Sequence, residues 1–230
     1  MCAQEPKFKT VVTIDGPAGA GKSTVARELA KKLGFVHLNS GALFRAVAHE
    51  AHRQGISFED GTSLAQLANK MQFSFHVGDR GLTRLRVNGN EIDEAVHSQM
   101  VGEFASRIAV HRDLRDVLTE VQRGVARAQA VVVEGRDAGT VVFPETMFKF
   151  FLDATVEVRA KRRFEELRVS EKSISDVRTE LETRDHRDST RSIAPQKAAE
   201  DAVVIDTTNL NVSEVVEKIC SLMQAVARGE

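Results

Sequence analysis

The sequence has few cysteines, no excess of charge and no long apolar run. Cys2 and Cys220 are the only two cysteines among 230 residues, and neither belongs to a C-x-x-C motif. That argues against a zinc site or a redox pair; both read as free thiols of a reducing compartment, Cys220 on an apolar helix face. The formal net charge is −1, so there is no overall polycation to suggest DNA or membrane binding, and any nucleotide contact must come from local charge. Met1 to Lys9 is polar and lacks the apolar stretch of a signal peptide. No uninterrupted apolar run approaches a membrane span. The expectation is a soluble, cytoplasmic protein. The seven histidines are scattered and form no grouping with cysteine and carboxylate that suggests a transition-metal enzyme. Internal repeats, low-complexity tracts and flexible linkers are also missing.

What is present is an ordinary soluble composition, 42% hydrophobic and 28% charged, at a length that suits one domain with elaborations. Short apolar runs alternate with helical patterns. Strands are expected at Thr10–Ile14, Phe35–Leu38, Ala130–Glu134, Met147–Leu152 and Ala202–Ile205. Val25, Ala26, Leu29, Ala30 and Leu33 recur at helical spacing until Gly34 stops them. A helix is expected from about Ala42 to Gln54, and a last one carries Val215, Val216, Ile219, Met223 and Val226. Apolar strands without strict alternation, divided by helices, predict an α/β fold with a central parallel sheet covered on both faces, a three-layer arrangement.

Two segments interrupt the rhythm. Gln72 to Ile92 alternates as strands do, with turn residues at Gly78-Asp79-Arg80-Gly81 and Asn88-Gly89, and predicts a small antiparallel β insertion within residues 66–98. Residues 157–191 are densely charged and mostly helical; a solvated helix laced with ion pairs is the plain reading of such a run.

Gly16-Pro17-Ala18-Gly19-Ala20-Gly21-Lys22-Ser23 matches G-x-x-x-x-G-K-[ST] between a strand and a helix, the context that the phosphate-binding P-loop requires. Its backbone N–H groups can turn inward around phosphate oxygens, with the positive end of the next helix behind them. Lys22 can reach the outer phosphates and Ser23 can ligate Mg²⁺. GTPases, motor ATPases and small-molecule kinases all carry such a loop. The base-reading N-K-x-D sequence of GTPases is missing here.

Asn39-Ser40-Gly41-Ala42-Leu43-Phe44-Arg45 opens a helix after the second strand. Ser40 can cap that helix and face an anion, with Arg45 one turn further in, or the segment is merely a capped helix with an exposed arginine. Glu134-Gly135-Arg136-Asp137-Ala138-Gly139-Thr140 follows a strand, at the edge where open α/β sheets bind ligands. Arg136 suits a phosphate and Glu134 could hold Mg²⁺ through water; a structural Arg–Asp pair is the alternative. In the charged segment Ile174, Val177 and Leu181 form an apolar helical stripe that Arg184, Asp188 and Arg191 continue. A face that begins as core ends as paired charges. Those charges either form a surface ion-pair chain or point toward what the core surrounds.

With these segments in order, the sequence resembles bacterial cytidylate kinases, a family of nucleoside monophosphate kinases. The resemblance runs through Ile14 to Thr24, Ser40 to Arg45, Ala105-Ser106 through Arg115, Gly135 to Pro144, Phe151 to Ala154 and Arg184 to Pro195. GRDAGTVVFP and the RDxRDxxR pattern are more selective than the P-loop. The resemblance implies one P-loop kinase domain over residues 1–230, with the β-rich insertion and a helical lid at 157–191. It implies transfer of the γ-phosphoryl group of ATP to CMP, and to dCMP, with Mg²⁺; one self-contained site makes a monomer the expectation, and the charge balance predicts no nucleic-acid or membrane partner. Gly16, Pro17, Ala18, Gly19, Ala20, Gly21, Lys22, Ser23, Thr24 and Arg159 would hold ATP. Ser40, Arg45 and Arg136 would hold the monophosphate. Ser106, Arg115 and Asp137 would read cytosine, although from the residues alone Ser106 and Arg115 read as helix surface, and Arg184 and Asp188 would contact the ribose. Lys22, Arg136 and Arg191 would serve the transfer itself, with Ser23 and, through water, Glu134 at the metal.

Asp137 has independent chemical support: a carboxylate accepts from the N4 amine of cytosine, whereas the carbonyl of uracil would oppose it. Three positions depart from the family: Ser23, where some relatives have glycine; Asn39, where aspartate is frequent; and Arg107, where a neutral residue is common. A kinase for UMP, AMP or shikimate, or a nucleotide-gated module without transferase activity, is the competing reading.

Overall fold

The computed structural model describes residues 8–78, 82–92, 96, 98–166 and 173–228. Cys2 and the rest of residues 1–7 lie outside them. So do residues 79–81 of the first predicted turn, 93–95 and 97 of the predicted insertion, and 167–172 of the predicted lid. No helix among the described residues is long and apolar enough to cross a membrane.

The expected α/β architecture is present. Five strands, β1 (Val11–Asp15), β2 (Val36–Asn39), β6 (Val131–Glu134), β7 (Phe148–Asp153) and β8 (Val203–Asp206), form one sheet in the order β2-β6-β1-β7-β8. β7 pairs in parallel with β1 on one side and β8 on the other. β1 and β6 are buried at every residue, as parallel strands covered on both faces must be. The chain divides into two compact units, residues 1–11 with 30–133, and residues 12–29 with 134–230.

The first unit contains α2 (Ser40–Arg53), α3 (Gly61–Lys70), α4 (Gln99–Ile108), α5 (Arg112–Ala128) and a separate three-stranded sheet of β3 (Phe73–Val77), β4 (Thr83–Val87) and β5 (Asn90–Glu91). The β3–β4 and β4–β5 pairs are antiparallel. Asn88 and Gly89 both take positive φ, 51° and 82°, as a two-residue hairpin turn demands. Asn39 caps α2: it keeps the extended backbone of the strand end, and its side chain accepts from Ala42 N at 2.9 Å. This corrects the expectation for Ser40, which already lies inside the helix and so lacks the non-helical conformation that a cap residue needs.

The second unit contains most of α1 (Lys22–Leu33), α6 (Val156–Glu166), α7 (Ile174–Thr190), α8 (Val212–Arg228) and a single π-helical turn, Ala138–Val142. Gly16 joins β1 to the P-loop at φ +144°; a Cβ there would stand 2.0 Å from Leu152 O, so only glycine lets the loop leave the sheet beside β7. Ala18 of the loop shares a buried apolar cluster with Ala160 of α6 and with Val177 and Leu181 of α7. Ile174 does not join them and is 49% exposed. The apolar stripe therefore starts at Val177, because helical periodicity marks a face but not where the core beneath it begins.

α7 opens with a capping box in which Ser173 and Asp176 exchange hydrogen bonds between side chain and backbone. Ser173→Ala should cost that helix about 1 kcal/mol. Faster amide hydrogen exchange in the first turn of α7, with little change in α8, is the expected result.

Candidate active site

Lys22 and Ser23 open α1 at the end of the P-loop. Lys22 is buried, and its Nζ donates to Pro17 O at 2.5 Å, which folds the side chain back over its own loop. Burial, followed by repulsion from Arg136 and Arg184, pushes its pKa well below the usual lysine value, while Glu134 and Asp185 oppose that shift. Ser23 Oγ donates to Glu134 Oε2 at 2.6 Å. These two hard oxygen donors suit Mg²⁺, which keeps several waters and takes few protein ligands beside phosphate. Among the described residues no group of three or more His, Cys, Asp or Glu could form an all-protein cage, so a magnesium ion here would have to be completed by phosphate and water.

The charged end of α7 meets the residues that follow β6. Arg136 Nε donates to Asp188 Oδ2 at 3.0 Å, and Arg184 Nε lies 3.9 Å from the same oxygen. Burial alone would raise the Asp188 carboxyl, but Arg136, Arg184 and Arg191 hold it below the usual aspartate range. Arg191 Nη2 lies 3.6 Å from Asp137 Oδ1, with both side chains buried, and Arg191 Nε donates to Ala194 O at 2.6 Å. The stripe of Arg184, Asp188 and Arg191 is therefore no surface chain: it interlocks with Arg136 and Asp137.

Arg159 is also buried. It donates to Ala154 O and Ala18 O, each at 3.0 Å, and pairs with Asp185, which in turn accepts from Ala18 N at 3.1 Å. The P-loop peptide at Ala18 is thus held from both sides by one ion pair. Arg162 donates to Thr207 Oγ1 and Thr207 O. Asp185 was not among the expected residues; it lies one position off the stripe and faces the loop instead.

In the first unit Ser40, Ser106 and Arg115 are all buried. Plain helix-surface positions for Ser106 and Arg115 are therefore excluded. Arg115 Nη1 donates to Ala109 O at 3.0 Å, and its guanidinium lies 5.4 Å from the Phe44 ring centroid. Arg45 donates to Val96 O and Ser98 O at the start of α4 and packs so closely on Gly102 that a Cβ there would stand 2.5 Å from Nη2. Arg107 donates to Glu59 at 2.9 Å and lies over the Phe58 ring at 5.1 Å, which gives this departure from the family a structural partner.

The sequence pattern of the family described as cytidylate kinase matches residues 12–225. The chain belongs to the cytidylate kinase family. It is 42% identical over 216 residues to a cytidylate kinase from Geobacter sulfurreducens, covering 93% of this chain and 92% of that one. A cytidylate kinase from Pasteurella multocida is 40% identical over 220 residues, covering 94% and 96%. Among solved structures, an uncharacterized protein from Eubacterium ventriosum superposes with a TM-score of 0.51 at 12% identity over 94% of this chain and 98% of its own, a likeness of fold alone.

Beside the residues that the family resemblance implied stands Asp15, at the end of β1. Its carboxylate is buried and accepts from Ala138 N at 2.9 Å and Gly139 N at 2.7 Å. Burial pushes its pKa up to about 6, against those two hydrogen bonds, which lower it. A folded-state value above the unfolded one means that this group's stabilising contribution is present at low pH and is lost as pH rises toward and past 6. The displacement corresponds to about 3 kcal/mol. In urea unfolding, the stability of Asp15→Asn relative to the wild-type protein should therefore rise by about that amount between pH 4 and pH 7.

Proposed function

We propose that the protein transfers the γ-phosphoryl group of ATP to CMP, and to dCMP, giving ADP and the cytidine diphosphate. Membership of the cytidylate kinase family supports the reaction. The observation that carries the chemistry is the clustering of Arg136, Arg184 and Arg191 about Asp188 and Asp137; beside it burial, and then the charges of Arg136 and Arg184, hold the Lys22 pKa low. Such crowding is relieved by a polyanion.

In this reading Gly16 to Thr24 hold the triphosphate, and Lys22 follows the outer phosphates. Arg159 acts on ATP through the loop, by fixing the Ala18 peptide. Ser40, Arg45 and Arg136 bind the monophosphate, Ser106, Arg115 and Asp137 read the base, and Arg184 and Asp188 take the ribose. The burial of Asp137 supports its part in base reading, since a desolvated carboxylate makes a mispaired carbonyl expensive. Residues 1–230 act as one kinase domain, with 66–98 as the acceptor-side insertion and 157–191 as a lid. The protein acts as a cytoplasmic monomer.

The attacking atom is an oxygen of the CMP phosphate. Its second pKa is about 6, so it is largely ionised at neutral pH and needs no general base. One P–O bond forms in line while the bond to the bridging oxygen of ATP breaks, and ADP leaves. The difficulty is mutual repulsion of two anions. Lys22, Arg136 and Arg191 screen it and follow the charge as it moves to the leaving oxygen. Mg²⁺ held by Ser23 and, through water, by Glu134 would add neutralising charge on the phosphates. Closure of the lid keeps water from competing as the acceptor.

A coupled assay with ATP fixed and CMP, dCMP, UMP and AMP as acceptors tests this. CMP and dCMP should lead; ATP binding with no product from any acceptor would overturn the reading. Asp137→Ala should lower the CMP over UMP ratio of kcat/KM by at least about tenfold, as expected for loss of a hydrogen bond to a charged group. An unchanged ratio would remove Asp137 from base reading. Lys22→Ala should abolish most turnover, by about a hundredfold or more in kcat, with the fold intact by circular dichroism.

A further inference from the structure

Asp137 occupies the N-cap position of the Ala138–Val142 turn, at φ −147° and ψ 20°, yet its side chain makes no cap hydrogen bond. An aspartate in that position ordinarily folds back onto the N–H groups of its own turn. Here those groups are already taken. Asp15 accepts from both Ala138 N and Gly139 N, one to each carboxylate oxygen, at 2.9 and 2.7 Å. The carbonyl of Asp137 closes the turn from the other side, accepting from Val141 N and Val142 N at 2.9 and 3.2 Å. The Asp137 carboxylate, not needed for capping, stands 3.6 Å from Arg191.

We propose that Asp15 is a positioning residue for acceptor recognition: it caps the turn from a neighbouring strand and so keeps the Asp137 carboxylate off its own turn and beside Arg191, where the base would meet it. The proposal rests on the reading of Asp137 as the carboxylate that meets the cytosine amine. It gives one residue two duties. Asp15 ends β1 directly before Gly16, where the P-loop begins, and its carboxylate aligns the turn that carries Arg136 and Asp137 at its entrance. An ionised carboxylate is the right group, because each oxygen serves a different N–H. Asparagine has one acceptor oxygen and would turn its NH₂ against the second N–H. That N–H would then lack a partner, and the carboxylate of Asp137 could swing back to supply one. Burial works against that charge, and the two backbone N–H donors support it.

The test compares the wild-type protein, Asp15→Asn, Asp137→Ala and the double variant in steady-state assays with CMP and UMP at saturating ATP. Asp15→Asn should raise the KM for CMP about tenfold and lower the CMP over UMP ratio of kcat/KM by a similar factor, since one charge-assisted hydrogen bond is lost. The KM for ATP should stay within about twofold. In the Asp137→Ala background the same change should have little further effect on that ratio, because both act through one carboxylate. A merely structural role would damage both substrates alike and add to Asp137→Ala. If Asp15→Asn fails to fold, Gly139→Ala carries the test: its added Cβ would lie 2.9 Å from Thr13 Oγ1 and 3.4 Å from Asp15 Oδ2, forcing the turn away from the carboxylate. Wild-type CMP turnover with an unchanged ratio in the variant, or additive effects in the double variant, overturns the positioning role alone. A wild-type protein that phosphorylates no CMP overturns the functional reading and this proposal together.

Discussion

Cations gathered around a buried lysine repel one another, and the second unit is organised by how that repulsion is answered. Lys22 has Arg136 and Arg184 near it, and Arg191 stands in the same network. Carboxylates are interleaved among them. Asp188 accepts from Arg136 with Arg184 close by, Asp137 faces Arg191, Asp185 holds Arg159, and Glu134 offsets Lys22. Buried charges persist only when paired with good geometry, so each acid has to be delivered from a rigid element. β6 and the turn after it deliver Glu134 and Asp137, and α7 delivers Asp185 and Asp188.

α7 accordingly works on two faces. Val177 and Leu181 bury its first half against α6 and Ala18 of the P-loop, and this packing fixes the height at which the charged half begins. From there Asp188 reaches Arg136, while Asp185 reaches the Ala18 peptide. The loop is therefore secured by apolar contact at a side chain and by an ion pair at the backbone of the same residue. A small residue at position 18 serves both, since a larger one would have to displace Val177 or Leu181.

The central strands were legible because parallel strands covered on both faces write themselves as short apolar runs, and β8 kept such a run although Val203 and Val204 stand exposed at the sheet edge; the P-loop was legible because its glycines and Lys22 stand in fixed order. The hairpin turn at Asn88-Gly89 was legible for a comparable reason: few residues accept positive φ. Other features left weaker marks. Ser106 and Arg115 look like surface residues until the helices that bury them are assembled, since polarity says nothing about which face of α4 or α5 is covered. Ile174 fits the apolar period but lies beyond the core. Asn39 and Ser40 are both competent caps, and only the backbone conformation decides between them. Asp15 and Asp185 were missed for a shared reason. Each bonds to backbone N–H groups far away in sequence, and a backbone donor has no residue type by which a pattern could announce it. The π turn at Ala138–Val142 likewise has no local signature.

The alternation of arginine and aspartate around Lys22 has a kinetic consequence. Opposite charges a few ångströms apart largely cancel at a distance, and salt screens what remains beyond about one Debye length, roughly 8 Å at physiological ionic strength. With a formal net charge of −1, the whole chain adds no compensating long-range attraction. A nucleotide would therefore arrive by plain diffusion with little electrostatic steering, and its association rate would respond weakly to added salt. In the proposed function the arginines would act on a phosphate only after contact, when it replaces a carboxylate as their partner. Selectivity would then come from exchange of partners at short range.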